Sequence, residues 1–126
     1  MPKPVKIIIG DIELSAELND SEAAETLRSM LPVECTMSRW GDEYYGDCGI
    51  NTDLGEDAKD IMEIGELAVW PVGHALCIFF GQTPASKADE PRAASPVNPV
   101  GRLKDDPSIL KELGSSIHVR VELSKQ

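Results

Sequence analysis

An arginine and a small set of aromatic rings carry the most distinctive chemistry in this sequence. Trp40 follows Arg39 directly, and Tyr44, Tyr45 and Trp70 bring the group to four of the six aromatic residues in the chain. A guanidinium can anchor a carbonyl or a carboxylate oxygen. Amphipathic rings suit the walls of a ligand groove. This set therefore predicts a binding site with Arg39 at its centre.

Each of these residues also has a structural interpretation. Arg39 can pair with Asp42 or Glu43 across its own turn, and a surface pair of this kind adds little stability. Each ring can equally pack in a core or at the rim of a sheet. The residue types alone leave both interpretations open.

Three polar residues farther along the chain could frame the rim of such a site. Thr83 and Asn98 each precede a proline, and the side chain of Asn98 can both donate and accept hydrogen bonds. The Asn98-Pro99 pair can equally be a simple turn. Arg102 could bind a carboxylate of a ligand, or it could tie its loop to an acid such as Asp105.

The sequence predicts neither a metal nor a cofactor. His74 and His118 lack a cysteine or histidine at the spacing of a zinc site. No Gly-x-Ser-x-Gly elbow marks a hydrolase nucleophile, and no glycine-rich loop leads into a helix with a lysine.

Composition limits the partners that can be expected. The chain has 126 residues, 12 of them basic and 22 acidic, for a net charge of −10. Acidic side chains repel phosphates, so nucleic acid and anionic membranes are poor partners. No apolar run approaches the ~20 residues of a membrane span, and the N-terminus lacks the apolar core of a secretory signal. Three cysteines without a Cys-x-x-Cys pair suit the cytoplasm.

Hydrophobic periodicity predicts a mainly β fold in a single domain, residues 1–126. Residues 5–9 and 12–18 form a predicted hairpin, and a predicted amphipathic helix at 21–31 ends at Pro32. Further strands are expected at 33–39, from 43, at 67–70, at 75–80 and at 117–123. Segments 50–59, 82–92 and 94–102 are predicted loops. A short helix is expected between Asp106 and Gly114.

About eight short, mostly antiparallel strands and two helices predict a closed barrel, which removes exposed sheet edges and can be capped by helices at its ends. The apolar run at 75–80 predicts a barrel strand that is buried on both faces, with a helix over its outer face. The last strand is the natural partner of the N-terminal hairpin.

Three segments resemble a known family. They are Ser-Arg-Trp-Gly-Asp-Glu-Tyr-Tyr at 38–45, the run from Trp70 to Pro84, and Ala-Ser-Pro-Val-Asn-Pro-Val-Gly-Arg at 94–102. The chain is similar over nearly its whole length to the small prokaryotic cyclophilin-like proteins. These are stand-alone barrels related in fold to the prolyl isomerase cyclophilin, so the resemblance implies a cyclophilin-like barrel.

Catalysis is implied only in part by this resemblance. Cyclophilins carry an arginine, on the strand after the first helix, that contacts the prolyl amide, and Arg39 lies at a similar place. Met37 and Ser38 precede it, where cyclophilins have phenylalanine and histidine. The segment 73–77 lacks the glutamine and the phenylalanine that line the cyclophilin groove.

Three hypotheses follow from the residues and the resemblance. In the first, a groove of Trp40, Tyr44, Trp70 and Phe79 binds a small molecule or a proline-containing peptide, and Arg39 anchors it. In the second, Arg39 catalyses prolyl isomerisation by donating to the prolyl nitrogen, which stabilises the twisted amide. In the third, the barrel is a protein-association subunit that can form a homo-oligomer.

Overall fold

The computed structural model describes residues 3–124, which form nine strands, one α-helix and two 3-10 helices. The strands are β1 (Lys3–Ile9), β2 (Ile12–Leu18), β3 (Val33–Arg39), β4 (Glu43–Asp47), β5 (Lys59–Ile61), β6 (Glu66–Trp70), β7 (Ala75–Phe79), β8 (Arg92–Leu103) and β9 (Ser116–Leu123). The helices are α1 (Glu22–Met30) and the 3-10 turns Pro71–Gly73 and Pro107–Glu112. The ends of the predicted domain 1–126 lie outside the described residues.

Eight of the strands close into a barrel. Their order is β2-β1-β9-β3-β4-β7-β6-β8, and β8 pairs back with β2 to complete the ring. All of these pairings are antiparallel, and β5 adds to β8 as an extra strand. The predicted barrel with two main helices is therefore confirmed, as is the pairing of the last strand with the N-terminal hairpin.

Alternating side chains build the barrel interior. In β2, Leu14, Ala16 and Leu18 are buried while Glu13 and Ser15 are exposed, as period-two patterning requires. The inward residues of the other barrel strands join them in one apolar cluster. Because this cluster lies inside the ring of strands, the outer wall of the barrel can carry a second layer of side chains.

Helix α1 closes over this interior. Ser21 caps its N-terminus, where the hydroxyl accepts a hydrogen bond from the Ala24 amide, which satisfies one of the free N–H groups of the first turn. Ala23, Ala24 and Leu27 are buried in the barrel core. The 3-10 helix Pro107–Glu112 contributes Leu110 to the same core. Within the described residues, no helix is long and apolar enough to cross a membrane.

The segment 94–102, predicted as a loop, is instead part of the longest strand. β8 runs from Arg92 to Leu103 and pairs with β6 along Asn98–Arg102. Proline lacks an N–H group and is tolerated in strands at irregular positions. Pro99 sits beside such an irregularity, between Leu67 and Ala68 of β6. The prediction was wrong because the proline and asparagine content suggested a loop.

The covering of β7 also differs from the prediction. Leu76 and Ile78 point into the barrel, while Cys77 and Phe79 lie in a second apolar cluster on the other face. No helix belongs to that cluster as the structure describes it; Ala93 and Val97 of β8 and Met62 after β5 supply its outer layer.

The predicted loop 50–59 needs a smaller correction, since Ile50 is fully buried.

Candidate ligand pocket on the outer face of the barrel

A pocket of about 240 Å3 lies on the outer wall of the barrel, beside the second apolar cluster. Strands β4, β6 and β7 form its floor, and β8 forms its outer side. The residues that line it are Trp40, Glu43, Tyr45, Trp70, Cys77, Ala93, Ala94, Ser95 and Val97.

Strand pairing determines which side chains reach this pocket. Successive residues of β4 alternate between faces, so Glu43 and Tyr45 point outward while Tyr44 lies in the barrel core. Tyr45 pairs directly with Cys77 of β7, and Cys77 pairs with Ala68 of β6. Directly paired residues share a face, which places the outward side chains of three strands in one row.

The aromatic rings form a fixed wall. Tyr45 and Trp70 meet edge to face, with ring centroids 6.5 Å apart and planes at 88°. The indole Nε1 of Trp70 donates to Ser95 Oγ at 2.8 Å, which ties β6 to β8. Because this bond uses the one polar atom of the indole, Trp70 offers the pocket an apolar surface.

Glu43 is the unusual member of the lining. It is 5% exposed, and its Oε1 has no hydrogen-bond partner among the described residues. Burial raises the pKa of Glu43 to about 7, and a hydrogen bond from the Cys77 thiol offsets part of that rise. Buried polar atoms are nearly always satisfied, and an unsatisfied one is costly. The pocket lining thus includes a carboxyl group with one oxygen that no described residue satisfies.

The structure separates the four rings of the predicted groove. Trp40 and Trp70 line the pocket. Tyr44 stacks on Phe80 inside the barrel, and its hydroxyl donates to Gly114 O. Phe79 is completely buried in the outer cluster. The predicted groove is therefore not one surface, and Tyr45 takes the place expected for Tyr44.

Arg39 lies at the barrel rim, where its guanidinium is held by the protein itself. It packs over the rings of Tyr44 and Phe80, 5.9 and 5.2 Å from their centroids. It donates at 2.8–3.0 Å to Asp42 Oδ1 and to the backbone oxygens of Gly41, Lys111 and Leu113. This bonding joins the turn after β3 to the 3-10 helix Pro107–Glu112, and it includes the Asp42 pair that the sequence left open.

The three predicted rim residues lie apart from the pocket. Thr83 Oγ1 donates to Arg92 O and closes the loop between β7 and β8. Asn98 is buried, accepts from the Gly55 amide, and donates to Asp53 O and Thr52 Oγ1. Arg102 is exposed and pairs with Glu63 at 2.8 Å. Their predicted role in binding remains a prediction.

Asn98 borders a second, more polar depression of about 580 Å3 between the start of α1 and residues 51–57. Acidic side chains line it, among them Glu22, Asp53, Glu56 and Asp57. Across residues 3–124, no group of three or more His, Cys, Asp or Glu side chains is arranged to hold a metal ion.

Sequence reasoning missed Glu43 as a site residue, and it left Tyr45, one of the four rings first considered, out of the predicted groove. Both lie within the segment that resembles the family, and Glu43 was considered only as a partner for Arg39. Period-two alternation groups Glu43 with Tyr45 and separates both from Tyr44. The available signal was the apolar run of β7, which indicates a strand that is buried on both faces. The outer face of the sheet is then covered at this point, and outward residues of the neighbouring strand β4 lie under the same cover.

Comparison with known proteins agrees with this fold. The sequence profile of the family described as cyclophilin-like matches residues 3–122. The solution structure of a hypothetical protein from Archaeoglobus fulgidus is similar, with 33% sequence identity over 98% of this chain and 95% of that one and a TM-score of 0.80. No curated protein matches the chain. The chain therefore belongs to the cyclophilin-like family.

Proposed function

We propose that this protein is a binding module, and that the pocket between Trp40, Tyr45 and Trp70 takes a small molecule or one side chain of a short peptide. The observation that carries the proposal is the Glu43 side chain, which lines an apolar pocket and whose buried Oε1 atom has no hydrogen-bond partner among the described residues. Ligand sites are mostly apolar concavities with a few polar groups that fix orientation. Glu43 supplies such a group among aromatic walls.

The size of the pocket limits what can enter. Its volume of about 240 Å3 is slightly below the ~300–1,000 Å3 of typical ligand sites. A single ring with a short substituent suits this space better than an extended ligand. A peptide would therefore insert one side chain and leave its backbone outside.

Arg39 has a supporting part in this proposal. Its hydrogen bonds to the protein backbone and to Asp42 order the turn that carries Trp40 and leads into Glu43. The prolyl isomerase hypothesis needs a guanidinium that can turn toward a substrate amide, and these bonds oppose such a movement. We expect wild-type protein to leave the rate of prolyl isomerisation in a test peptide unchanged. An acceleration that Arg39→Ala removes would contradict this expectation.

Intrinsic fluorescence provides the test of binding, because Trp40 and Trp70 are the two tryptophans of the chain and both line the pocket. A library of single-ring fragments would be screened by tryptophan fluorescence and by shifts of the two indole N–H signals. Ala94 is an exposed pocket residue, so Ala94→Leu should obstruct the pocket without disturbing the core. Ala88→Leu is the matched control, since Ala88 is exposed and lies outside the lining.

We expect fragments that perturb both indoles in wild type and in Ala88→Leu and bind at least ~10-fold more weakly to Ala94→Leu, a loss of ~1.4 kcal/mol. A screen in which no fragment perturbs either indole would overturn the proposal. So would equal binding by the two leucine variants.

A further inference from the structure

We infer that the ligand of this pocket is an organic cation, an ammonium or amidinium group on a small apolar body, with its charged N–H group on Glu43. The inference rests on the proposed function and specifies its ligand. It starts from the lining, in which Glu43 is the one residue that carries a formal charge when ionised near neutral pH.

The carboxyl group determines the polarity of the partner. Glu43 Oε1 can accept a hydrogen bond that no described residue supplies. A ligand N–H group would satisfy it, and a charged donor forms a bond roughly twice as strong as a neutral donor does. An anionic ligand would instead face a carboxylate in a poorly solvated site, which is strongly unfavourable. For the ionised carboxylate, the choice is therefore between a cationic and a neutral N–H donor.

The aromatic wall favours the cation. The faces of tryptophan and tyrosine rings attract positive charge, with tryptophan the strongest. Trp40, Tyr45 and Trp70 all line the pocket with Glu43. Trp70 already donates its N–H to Ser95, so its apolar surface remains for the ligand. A ligand cation would therefore be attracted by the aromatic rings and, independently, by the carboxyl group.

The charge of the whole chain acts in the same direction. A net charge of −10 raises the local concentration of cations and their rate of association. The nearest basic residue along β8, Arg92, is already paired with Glu90 and Asp60. The pocket lining contains no basic residue that could neutralise the Glu43 carboxylate.

Binding should also depend on pH, since a cation favours the ionised carboxylate. The titratable groups that line the pocket around Glu43 are the Cys77 thiol of β7 and the Tyr45 hydroxyl of β4, while β6 and β8 contribute none. Burial raises the pKa of Cys77 well above its usual value, so this thiol stays neutral. Glu43 therefore controls the pH dependence around its own pKa of about 7.

The experiment uses three probes of nearly identical shape and different charge, namely benzamidine, benzamide and benzoate. Their affinities for wild type, Glu43→Gln and Ala88→Leu would be measured by tryptophan fluorescence and calorimetry. We expect benzamidine to bind wild type at least ~10-fold more tightly than benzamide, and to lose that advantage in Glu43→Gln. Its affinity should rise about 10-fold from about pH 5.5 to about pH 8, and Glu43→Gln should remove this rise.

A second arm distinguishes a free ligand from a peptide side chain. A capped tripeptide with a central arginine would be compared with the same peptide carrying the neutral isostere citrulline. A preference for arginine that Glu43→Gln removes would support the inference with a peptide as the source. A response to benzamidine alone would support it with a free small molecule as the source.

The inference and the proposed function fail in different ways. Benzamide binding as tightly as benzamidine, or benzamidine binding unaffected by Glu43→Gln, would overturn the cation while leaving the pocket a binding site. Failure of benzamidine to bind would also overturn the inference, whatever other fragments do. The proposed function would be overturned by other results, namely the absence of every fragment from the pocket or equal fragment binding to Ala94→Leu and Ala88→Leu.

Discussion

At the scale of a single residue, the burial of Glu43 costs stability, whereas the same carboxyl group has the proposed role in ligand binding. Its carboxyl group is buried beside Cys77, and one of its oxygens has no partner among the described residues, so the folded state holds a polar atom that water would otherwise solvate. Such a cost is tolerated when the residue has a task in the folded protein. The residue therefore allows two kinds of measurement, one on stability and one on ligands.

Glu43→Gln should stabilise the protein at high pH. Burial raises the pKa of Glu43 from 4.5 to about 7, so between these values the folded state keeps a proton that the unfolded chain releases. The contribution of Glu43 to stability is therefore lost as pH rises through this window, by on the order of 3 kcal/mol. Glutamine does not titrate and avoids that loss.

Urea unfolding of both proteins from about pH 4 to about pH 9 would measure this difference. The advantage of Glu43→Gln over wild type should grow up to about pH 7 and then level off. Parallel stability curves would show that the carboxyl group titrates normally in the folded state.

Arg39 should contribute to stability, and Arg102 should contribute little. Arg39 donates to three backbone oxygens and to Asp42, and Arg39→Met keeps its packing over Tyr44 while removing all of these bonds. We expect a loss of about 2–4 kcal/mol. The matched change Arg102→Met removes an exposed pair with Glu63 and should cost below ~1 kcal/mol.

Denaturant midpoints of the two variants, compared with wild type, would check this difference. Equal midpoints for Arg39→Met and wild type would mean that the rim bonds are dispensable. In that case the guanidinium would be free to serve a substrate, as the isomerase hypothesis requires.

Strand β8 has two functions at the scale of the element. Its N-terminal part places Ala93 and Val97 over the outer face of the barrel and forms one side of the pocket. Farther along, Asn98 turns its buried amide toward residues 52–55 and holds that segment. One strand thus connects the pocket to a long segment without regular structure.

Asn98→Ala should release this segment. Gly55 donates its amide to Asn98 Oδ1 at 2.8 Å, and the substitution leaves this amide and Asp53 O without their partner. We expect the free energy of unfolding to fall by about 2–3 kcal/mol and the Gly55 amide to exchange its hydrogen faster. The amides of β1 should keep the order of their exchange rates relative to one another. Asn51→Ala, at an exposed position of the same segment, is the control and should change neither quantity.

Hydrogen exchange of both variants by NMR would separate the local effect from the global one. Unchanged protection of Gly55 in Asn98→Ala would mean that other contacts hold the segment.

Closure of the ring is the property of the whole molecule that every other feature depends on. β8 returns to β2 at Ala16–Leu18, which leaves no open edge between the first and last positions of the barrel order. Gly101 lies at this seam, where an added Cβ would overlap Glu17 O and meet Leu18 Cα at 3.0 Å. Absence of a side chain is what lets the two strands approach.

Gly101→Ala should therefore open the seam. Because the obstructing atoms belong to the backbone of β2, relief requires the strands to separate, and we expect a loss of at least ~3 kcal/mol. Gly114→Ala is the control, since an added Cβ there meets no atom of residues 3–124 within 4 Å. Thermal unfolding of the two variants would be compared, and similar melting temperatures would contradict a tightly closed seam.

The sequence by itself determined the strands with clear alternation and the family. Residues 117–123 and 12–18 show a period of two that is typical of a half-buried strand, and the pairing of the last strand with the N-terminal hairpin followed from the closed barrel. Helix α1 could be predicted from Ser21, the acidic first turn and Pro32. These features are local, so residue type and spacing define them.

Only the tertiary structure decided which side chains form the pocket. Tyr44 and Tyr45 are adjacent rings of one strand, and alternation sends them to opposite faces without saying which face is inside. That choice depends on the pairing of β4 with β7, and the pocket that Glu43 lines also requires β8, which lies about fifty residues later in the chain. Long-range packing also recruited the proline-rich segment 94–102 into a strand, because barrel closure outweighs local preference.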